Sequence, residues 1–510
     1  MSRRLLWLLS IWHLAGCSDS RPLDHQSTSP SRRPDAQVPA DAPTADAAAP
    51  GRTEDAAVRV DAAIPGVPPP VKDAAPPQPA ADAARSGDAR VQMPDAAPPT
   101  PDAAIPMQDA AAPEPPPVTC VGATKLDAYV SDPKLCVYVF AQNIPSARQL
   151  AFAPNGDLFV NAGSLVVLWD ADKNGQSDAG ERSTFSTGPG LNHGVVFSRD
   201  GKFVYASSPT TVYRWAYSAG QRTSQAAAEV VVNGIPDGGH ATRTLAFDSQ
   251  GRLIVSIGSA SNVDTAQVEW DTRSQIRRYA IPASLPSGGL GFASGEVIAT
   301  GMRNEAGIFV DEGDRIWGVE NGRDNLSDAD LGGDIHNDNP GEEINLIDGQ
   351  GPKFYGYPHC FSEFKLTTGG LGQGSQWADQ TLAAAMQKTD AFCRDPANVR
   401  APAYVMPAHW APLGIIRYTG RALPMKGDLI IGAHGSWNRD PATGRVIARA
   451  RLSGSKITGF DILIGEKDSA GQLRQGTWNV RPVDVRQGPD DAIYVSDDSG
   501  GRVLKIGYAL

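Results

Sequence analysis

Between Asp170 and Glu181 the chain places oxygen-bearing side chains at Asp170, Asp172, Asn174, Asp178 and Glu181, with Gly175 at the sixth position. This is the spacing of an EF-hand calcium loop: hard oxygens at alternating positions, a glycine at the sharp turn, and a closing glutamate able to give two oxygens. The residues ahead of it, Leu165 to Trp169, read as strand rather than helix, so a paired EF-hand is not expected. Two readings stay open, a lone calcium loop or a hairpin turn rich in Asx hydrogen bonds. A second acidic stretch follows the alternating segment Ile316 to Glu320 and carries Asp324, Asp328, Asp330, Asp334, Asp338, Glu342 and Glu343. It reads either as a calcium-binding loop or as a solvated acidic one.

The elements that must position these residues show as a repeat. Arg148 to Val160 reads polar residue, apolar pair, Gly-centred turn, alternating strand; His193 to Tyr205 and Arg243 to Val255 repeat it. Further copies begin near Arg303, Pro412 and Arg481. Period-2 alternation around Asn-Gly and Asp-Gly is the hairpin signal. Six copies predict an all-β, six-bladed propeller, the fourth blade carrying large insertions. An open β-sandwich would not account for the repeat. Functional groups of a propeller converge at the mouth of the central channel, which makes residues at blade starts the natural candidates.

Composition divides the 510 residues unevenly. A net charge of −11 argues against nucleic acid as a partner, which needs a basic footprint. There is no apolar run long enough to predict a transmembrane helix. Residues 1–17 read as a lipoprotein signal peptide: Arg3-Arg4, an apolar stretch Leu5 to Leu14, then the lipobox Leu14-Ala15-Gly16-Cys17. Lipid on Cys17 would hold the protein at a bacterial membrane, and Ser18 after it favours the outer membrane, with the protein facing the periplasm or the cell surface. Residues 18–118 repeat Asp-Ala-Ala among prolines and almost lack aromatics, the signature of a disordered tether. About a hundred such residues span roughly 60 Å as a coil and up to ~300 Å extended. The propeller is assigned to residues 119–510. Beyond Cys17, the cysteines are Cys120, Cys136, Cys360 and Cys393, and in an oxidising compartment the local pairs Cys120–Cys136 and Cys360–Cys393 are expected.

Arg303-Asn304, the strand ending Glu320-Asn321-Gly322, the triplet Glu343-Ile344-Asn345 and Tyr355-Gly356-Tyr357-Pro358 occur in that order. Together they resemble the soluble glucose/sorbosone dehydrogenase family, six-bladed propellers that bind pyrroloquinoline quinone (PQQ) and calcium, in the branch that oxidises pyranoses or sorbosone-like sugars. The resemblance covers roughly Ser146 to Tyr508. It implies that His240, in Asp237-Gly-Gly-His240-Ala-Thr-Arg243, is the general base, and a neutral imidazole suits removal of a sugar hydroxyl proton. A structural histidine in a turn is the alternative. It further implies Arg303 and Asn304 beside the quinone, with the backbone carbonyls of Gly322 and Arg323 on calcium, although the family usually has proline where Arg323 stands. Arg243, Arg481 and Asp498 match cofactor-binding positions. His409 and His434 lie in motifs of the sorbosone branch, and Arg439 stands where glucose-specific members have a PQQ-contacting lysine nearby. Trp410 and Trp437 suit either a sugar face or the core. The implied activity is oxidation of a sugar by hydride transfer to PQQ, with electrons leaving to an unidentified acceptor. The alternative is a non-enzymatic, calcium-stabilised surface propeller that binds a glycan or a protein. A metal-dependent lactonase ranks last, because the blade starts offer Arg and His instead of inward-facing acids.

Overall fold

Each predicted Gly-centred turn folds as a hairpin. In the first repeat Leu150–Phe152, Leu158–Asn161, Leu165–Leu168 and Arg182–Ser186 form an antiparallel meander. Its first turn holds Gly156 at φ +92°, a conformation that residues with a Cβ rarely adopt; Gly201 does the same in the next repeat at +67°. Residues 119–265 and 272–509 are described in this computed structural model. The expected signal peptide, Cys17 and the Asp-Ala-Ala tether lie outside the described residues.

Among the described residues six blade sheets result, beside two small two-stranded ones, and the innermost strands of the blades are Leu150–Phe152, Val195–Phe197, Leu245–Phe247, Glu305–Val310, Pro412–Arg417 and Pro482–Gln487. Each lies against the next, and the last lies against the first, which closes the expected six-bladed ring. The outermost strand of the sixth blade, Leu135–Gln142, comes from the start of the domain and pairs antiparallel with Arg502–Tyr508. Both ends of the domain are thereby locked in one sheet, which removes the free edges an open sheet would leave.

Apolar side chains fill the space between neighbouring blades. Phe159, fully buried, meets Phe185, Phe197 and Tyr217 edge to face at 4.9–5.7 Å between ring centres. Both expected disulfides are present, and Cys120–Cys136 pins the entering segment to the closing strand. The loop from Asp170 to Glu181 packs on that same segment. A Cβ on Gly175, at φ +83°, would collide with the Val121 carbonyl, and Ser177 N donates to Phe140 O at 2.6 Å.

The acidic stretch of the fourth blade does not gather into one loop site. Asp328 caps a short turn by accepting from Asp330 N, Asp338 pairs with Arg439, and Glu342 and Glu343 are buried in the strand Glu342–Ile347. Among the described residues, the acids close enough to share a metal ion are Asp170, Asp172 and Glu181.

Candidate functional site

His240 stands in the loop ahead of the strand Leu245–Phe247. A Cβ on Gly258 would lie 2.5 Å from His240 Cβ and 2.9 Å from Asn304 Oδ1, so a glycine here lets side chains of the third and fourth blades converge. His240 Nδ1 is 2.8 Å from Ser259 Oγ and 3.2 Å from Ser259 O. The Ser259 hydroxyl spends its proton on Ser261 O, at 2.7 Å. A carbonyl has no proton to give and the hydroxyl has already used its own, so Nδ1 is the donor and Nε2 keeps a free lone pair. Burial, reinforced by the Arg303 charge, pulls the imidazole pKa down to about 4, leaving it neutral near pH 7.

Arg303, buried at the start of the fourth blade, spreads its guanidinium over Asn262 O and Oδ1, Asn321 O and Asp324 Oδ2, at 3.0–3.1 Å. Asp324 also faces His409 Nδ1 at 3.6 Å, while His409 Nε2 donates to His336 O at 2.6 Å. Burial disfavours a charged His409, but its bond to Asp324 and the nearby Glu342 outweigh that and raise its pKa. Glu342 accepts from Gly322 N at 2.7 Å and Ala411 N at 3.0 Å, fixing the turn that carries Gly322 and Arg323. Among the described residues no hydrogen bond ends on the carbonyl oxygens of Gly322 or Arg323.

Across the channel mouth a second network joins the first, second, fifth and sixth blades. Arg148 donates to His193 Nδ1 at 3.2 Å and to Asp498 Oδ2 at 2.8 Å, and Asp498 Oδ1 meets His434 Nε2 at 2.9 Å. Arg481 donates to His434 O and Gly435 O at 3.1 and 3.4 Å. Burial lowers the His434 pKa against the pull of Asp498. Nearby, Asn192 Oδ1 is buried without a hydrogen-bond partner. Arg148 and His193 were absent from the sequence-based candidates, yet both stand at the blade-start position that pointed to Arg303 and Arg481.

Other candidates sit elsewhere. Arg243 was expected to bind a cofactor, but its guanidinium is buried and turned onto the carbonyls of Pro209, Pro236, His240 and Thr242 at 2.7–2.9 Å. It clamps the His240 loop, because four backbone acceptors from that loop and its neighbour take its donors. Arg439 braces the rim through Asn337 O, Pro441 O and Asp338 Oδ1. Trp410 is a core residue, whereas Trp437 is 75% exposed on the rim beside Arg439. The Arg323 guanidinium turns away to Asp379. In the loop from Asp170 to Glu181, the carboxylates of Asp170 and Glu181 accept backbone amides of Asn174, Gly175, Ala171 and Asp178, and Asn174 bonds Asp172 and Asp178.

The mouth thus combines a neutral base with a free lone pair, guanidinium groups from three blades, and two adjacent carbonyls lacking donors. Such a set can take a proton from a neutral hydroxyl beside a planar polyanion.

Known proteins are similar to this chain in sequence and fold. The pyrroloquinoline quinone-dependent pyranose dehydrogenase of Coprinopsis cinerea is 30% identical over 343 residues, 62% of this chain and 46% of the relative. The pyrroloquinoline quinone-dependent sugar dehydrogenase of Hypocrea jecorina is 32% identical over 296 residues, 54% of this chain and 67% of the relative. The chain therefore spans about half the length of the first of these relatives. Among solved structures, the holo PQQ domain of the Coprinopsis cinerea pyranose dehydrogenase superposes with a TM-score of 0.67 at 26% identity, covering 76% of this chain and 100% of that one. The calcium structure of the Trichoderma reesei AA12 enzyme gives 0.66 at 28% identity, covering 76% and 98%. A model of the TrAA12-like family matches residues 130–509, from just ahead of the closing strand to the end of the sixth blade, and this chain belongs to that family.

Proposed function

We propose that this chain is a PQQ-dependent sugar dehydrogenase acting on a pyranose or sorbosone-like sugar. The observation that carries the proposal is the free Nε2 of His240, converging with Asn304 at Gly258 and within the field of Arg303. The named activities of the relatives support it. PQQ carries three carboxylates and an ortho-quinone, and the donor set fits it. Arg148, Arg481 and His434 would face its carboxylates, Arg303 and Asn304 its quinone edge, and the carbonyls of Gly322 and Arg323 would take a calcium ion. When bound, PQQ would supply a hydride acceptor for the sugar carbon, and calcium a Lewis acid for the negative charge on the quinone oxygens.

His240 Nε2 removes the proton of the sugar hydroxyl from which hydride leaves. Ser259 fixes the ring's tautomer, and Arg243 holds the loop that presents it. Arg303, tied down by Asn262, Asn321 and Asp324, offers a positive charge that needs no reorganisation during the reaction. Calcium in the loop from Asp170 to Glu181 would staple the first blade to the closing strand. Electrons pass to an unidentified acceptor, and lipid on Cys17 anchors the protein at the outer membrane.

Incubation with PQQ and calcium, followed by dye reduction on a panel of aldoses, tests the assignment. Absorbance of bound PQQ that disappears with chelator is the expected result; absence of any PQQ binding overturns it. On the rim, Trp437 supplies an aromatic face for the sugar. Trp437→Ala raises KM roughly 3- to 10-fold with kcat nearly unchanged, the loss of one stacking contact; steady-state kinetics read the split.

A further inference from the structure

We propose that a separate cavity beside the candidate site binds a sugar carboxylate. The cavity, of about 360 Å³, is large enough for one sugar unit. Arg273 and Ser274 of the third blade, Tyr357 and His359 of the fourth-blade excursion, and Lys388 beyond the helix Gln380–Met386 bound it. Phe354 and Phe392 add aromatic faces.

Its chemistry departs from that of the rest of the molecule. The chain carries a net charge of −11, yet no acidic side chain is among the described residues that line this cavity. Among the described residues, Asp379 is engaged by Arg323, and Asp264 by Ala260 N and, at 3.7 Å, by Arg273. The Lys388 ammonium stands 4.1 Å over the Phe392 ring. His359 Nδ1 and Ser274 Oγ are buried without a hydrogen-bond partner, an arrangement proteins avoid unless something else fills the space. Burial, and then the Lys388 charge, lower the His359 pKa, so its ring is neutral and acts through hydrogen bonds. A carboxylate answers Lys388 and Arg273, hydroxyls answer His359 and Ser274, and the C–H face of a sugar answers the phenyl rings. A bare inorganic anion leaves the aromatic walls unused, and an apolar ligand leaves the polar groups unmet.

Two bridges connect the cavity to the channel mouth. Arg273 Nε donates to Asp237 O at 3.2 Å, in the loop that leads to His240. The Tyr357 hydroxyl accepts from Asp264 N at 2.6 Å and donates to Asn262 O at 3.3 Å, the same carbonyl that receives Arg303 Nε. An occupant therefore touches the supports of both the base and the Arg303 clamp.

The biological meaning rests on the dehydrogenase reading, under which a sugar carboxylate has two sources. One is an acidic sugar offered as substrate. The other is product: loss of hydride from C1 of a cyclic aldose, with the proton of its C1 hydroxyl, gives a lactone, and water adds to open the ring and release a carboxylate and a proton.

Calorimetric titration of the PQQ-free protein with sodium gluconate, sodium glucuronate, glucose and sodium acetate, at fixed ionic strength, tests the site. A sugar carboxylate binds, while glucose and acetate bind at least tenfold more weakly. Lys388→Glu weakens binding tenfold or more with an unchanged unfolding midpoint, Lys388→Arg preserves it, and His359→Gln changes it independently of charge. Preference for gluconate assigns the site to product, and preference for glucuronate to substrate. Absence of binding, equal affinity for acetate, or an affinity indifferent to Lys388→Glu overturns the proposal. Because no PQQ is present, these outcomes are independent of whether the dehydrogenase reading survives.

Discussion

His240→Ala lowers kcat roughly 10²- to 10⁴-fold, the range lost with a positioned general base, while PQQ affinity and the unfolding midpoint hold. The expectation follows from the tautomer. Ser259 takes the Nδ1 proton, its own proton goes to Ser261 O, and the remaining nitrogen has nothing to do in the free protein but accept. With the imidazole pKa pulled down to about 4, the base form persists across the neutral range. The acid limb of kcat/KM attributable to His240 therefore falls near pH 4 rather than near the ordinary histidine value. Ser259→Ala, which frees the ring to flip or change tautomer, lowers kcat less than His240→Ala and leaves KM for the sugar nearly unchanged. Dye-reduction kinetics from pH 3.5 to 9 and a PQQ titration of each variant provide the check. Full activity in His240→Ala would move the base to His434, whose Nε2 already meets Asp498.

The fold was legible because the signal repeats. Asn155-Gly156 and Asp200-Gly201 each force a tight hairpin, and the polar residue ahead of each innermost strand marks the same end of the channel. What each blade-start residue does was less legible. Arg243 and Arg303 occupy equivalent positions. Irregular turns bring four carbonyls to the first, whereas the second meets the side chains of Asn262 and Asp324, and neither loop has a periodic pattern. Arg148 and His193 were visible only as blade starts, since their partner Asp498 lies some 350 positions away in sequence. Ring closure by Leu135–Gln142 was equally hidden, because an alternating strand does not reveal which sheet it joins. The acidic stretch misled for a related reason. Its density suggested either a calcium loop or a solvated acidic one, but Glu342 and Glu343 fall in a strand that buries them.

That burial carries the second large effect. Glu305, Glu320 and Glu343 converge on a single amide, Asn345 Nδ2, at 3.1, 3.3 and 3.3 Å. Glu305 Oε1 is buried without a partner, and Gly318 alongside it has no room for a Cβ. Burial raises all three pKa values, that of Glu343 to about 7, and repulsion from neighbouring acids adds to the rise at Glu305 and Glu320. A carboxyl whose pKa rises on folding holds its proton more tightly in the native state. Its contribution is intact below the ordinary value of 4.5 and is lost as pH climbs through about 7. In chelator, the protein is therefore less stable at pH 8 than at pH 5. Glu343→Gln keeps the shape, still accepts the Ser362 hydroxyl, and exchanges the bond from Asn345 Nδ2 for an amide hydrogen given to the neighbouring carboxylates. It removes the charge at pH 8 and gains up to about 3 kcal/mol there relative to the parent, with little gain at pH 5. Urea denaturation of both proteins at the two pH values measures the difference. Parallel pH profiles for the parent and Glu343→Gln would show that the charge is not what strains the fourth blade.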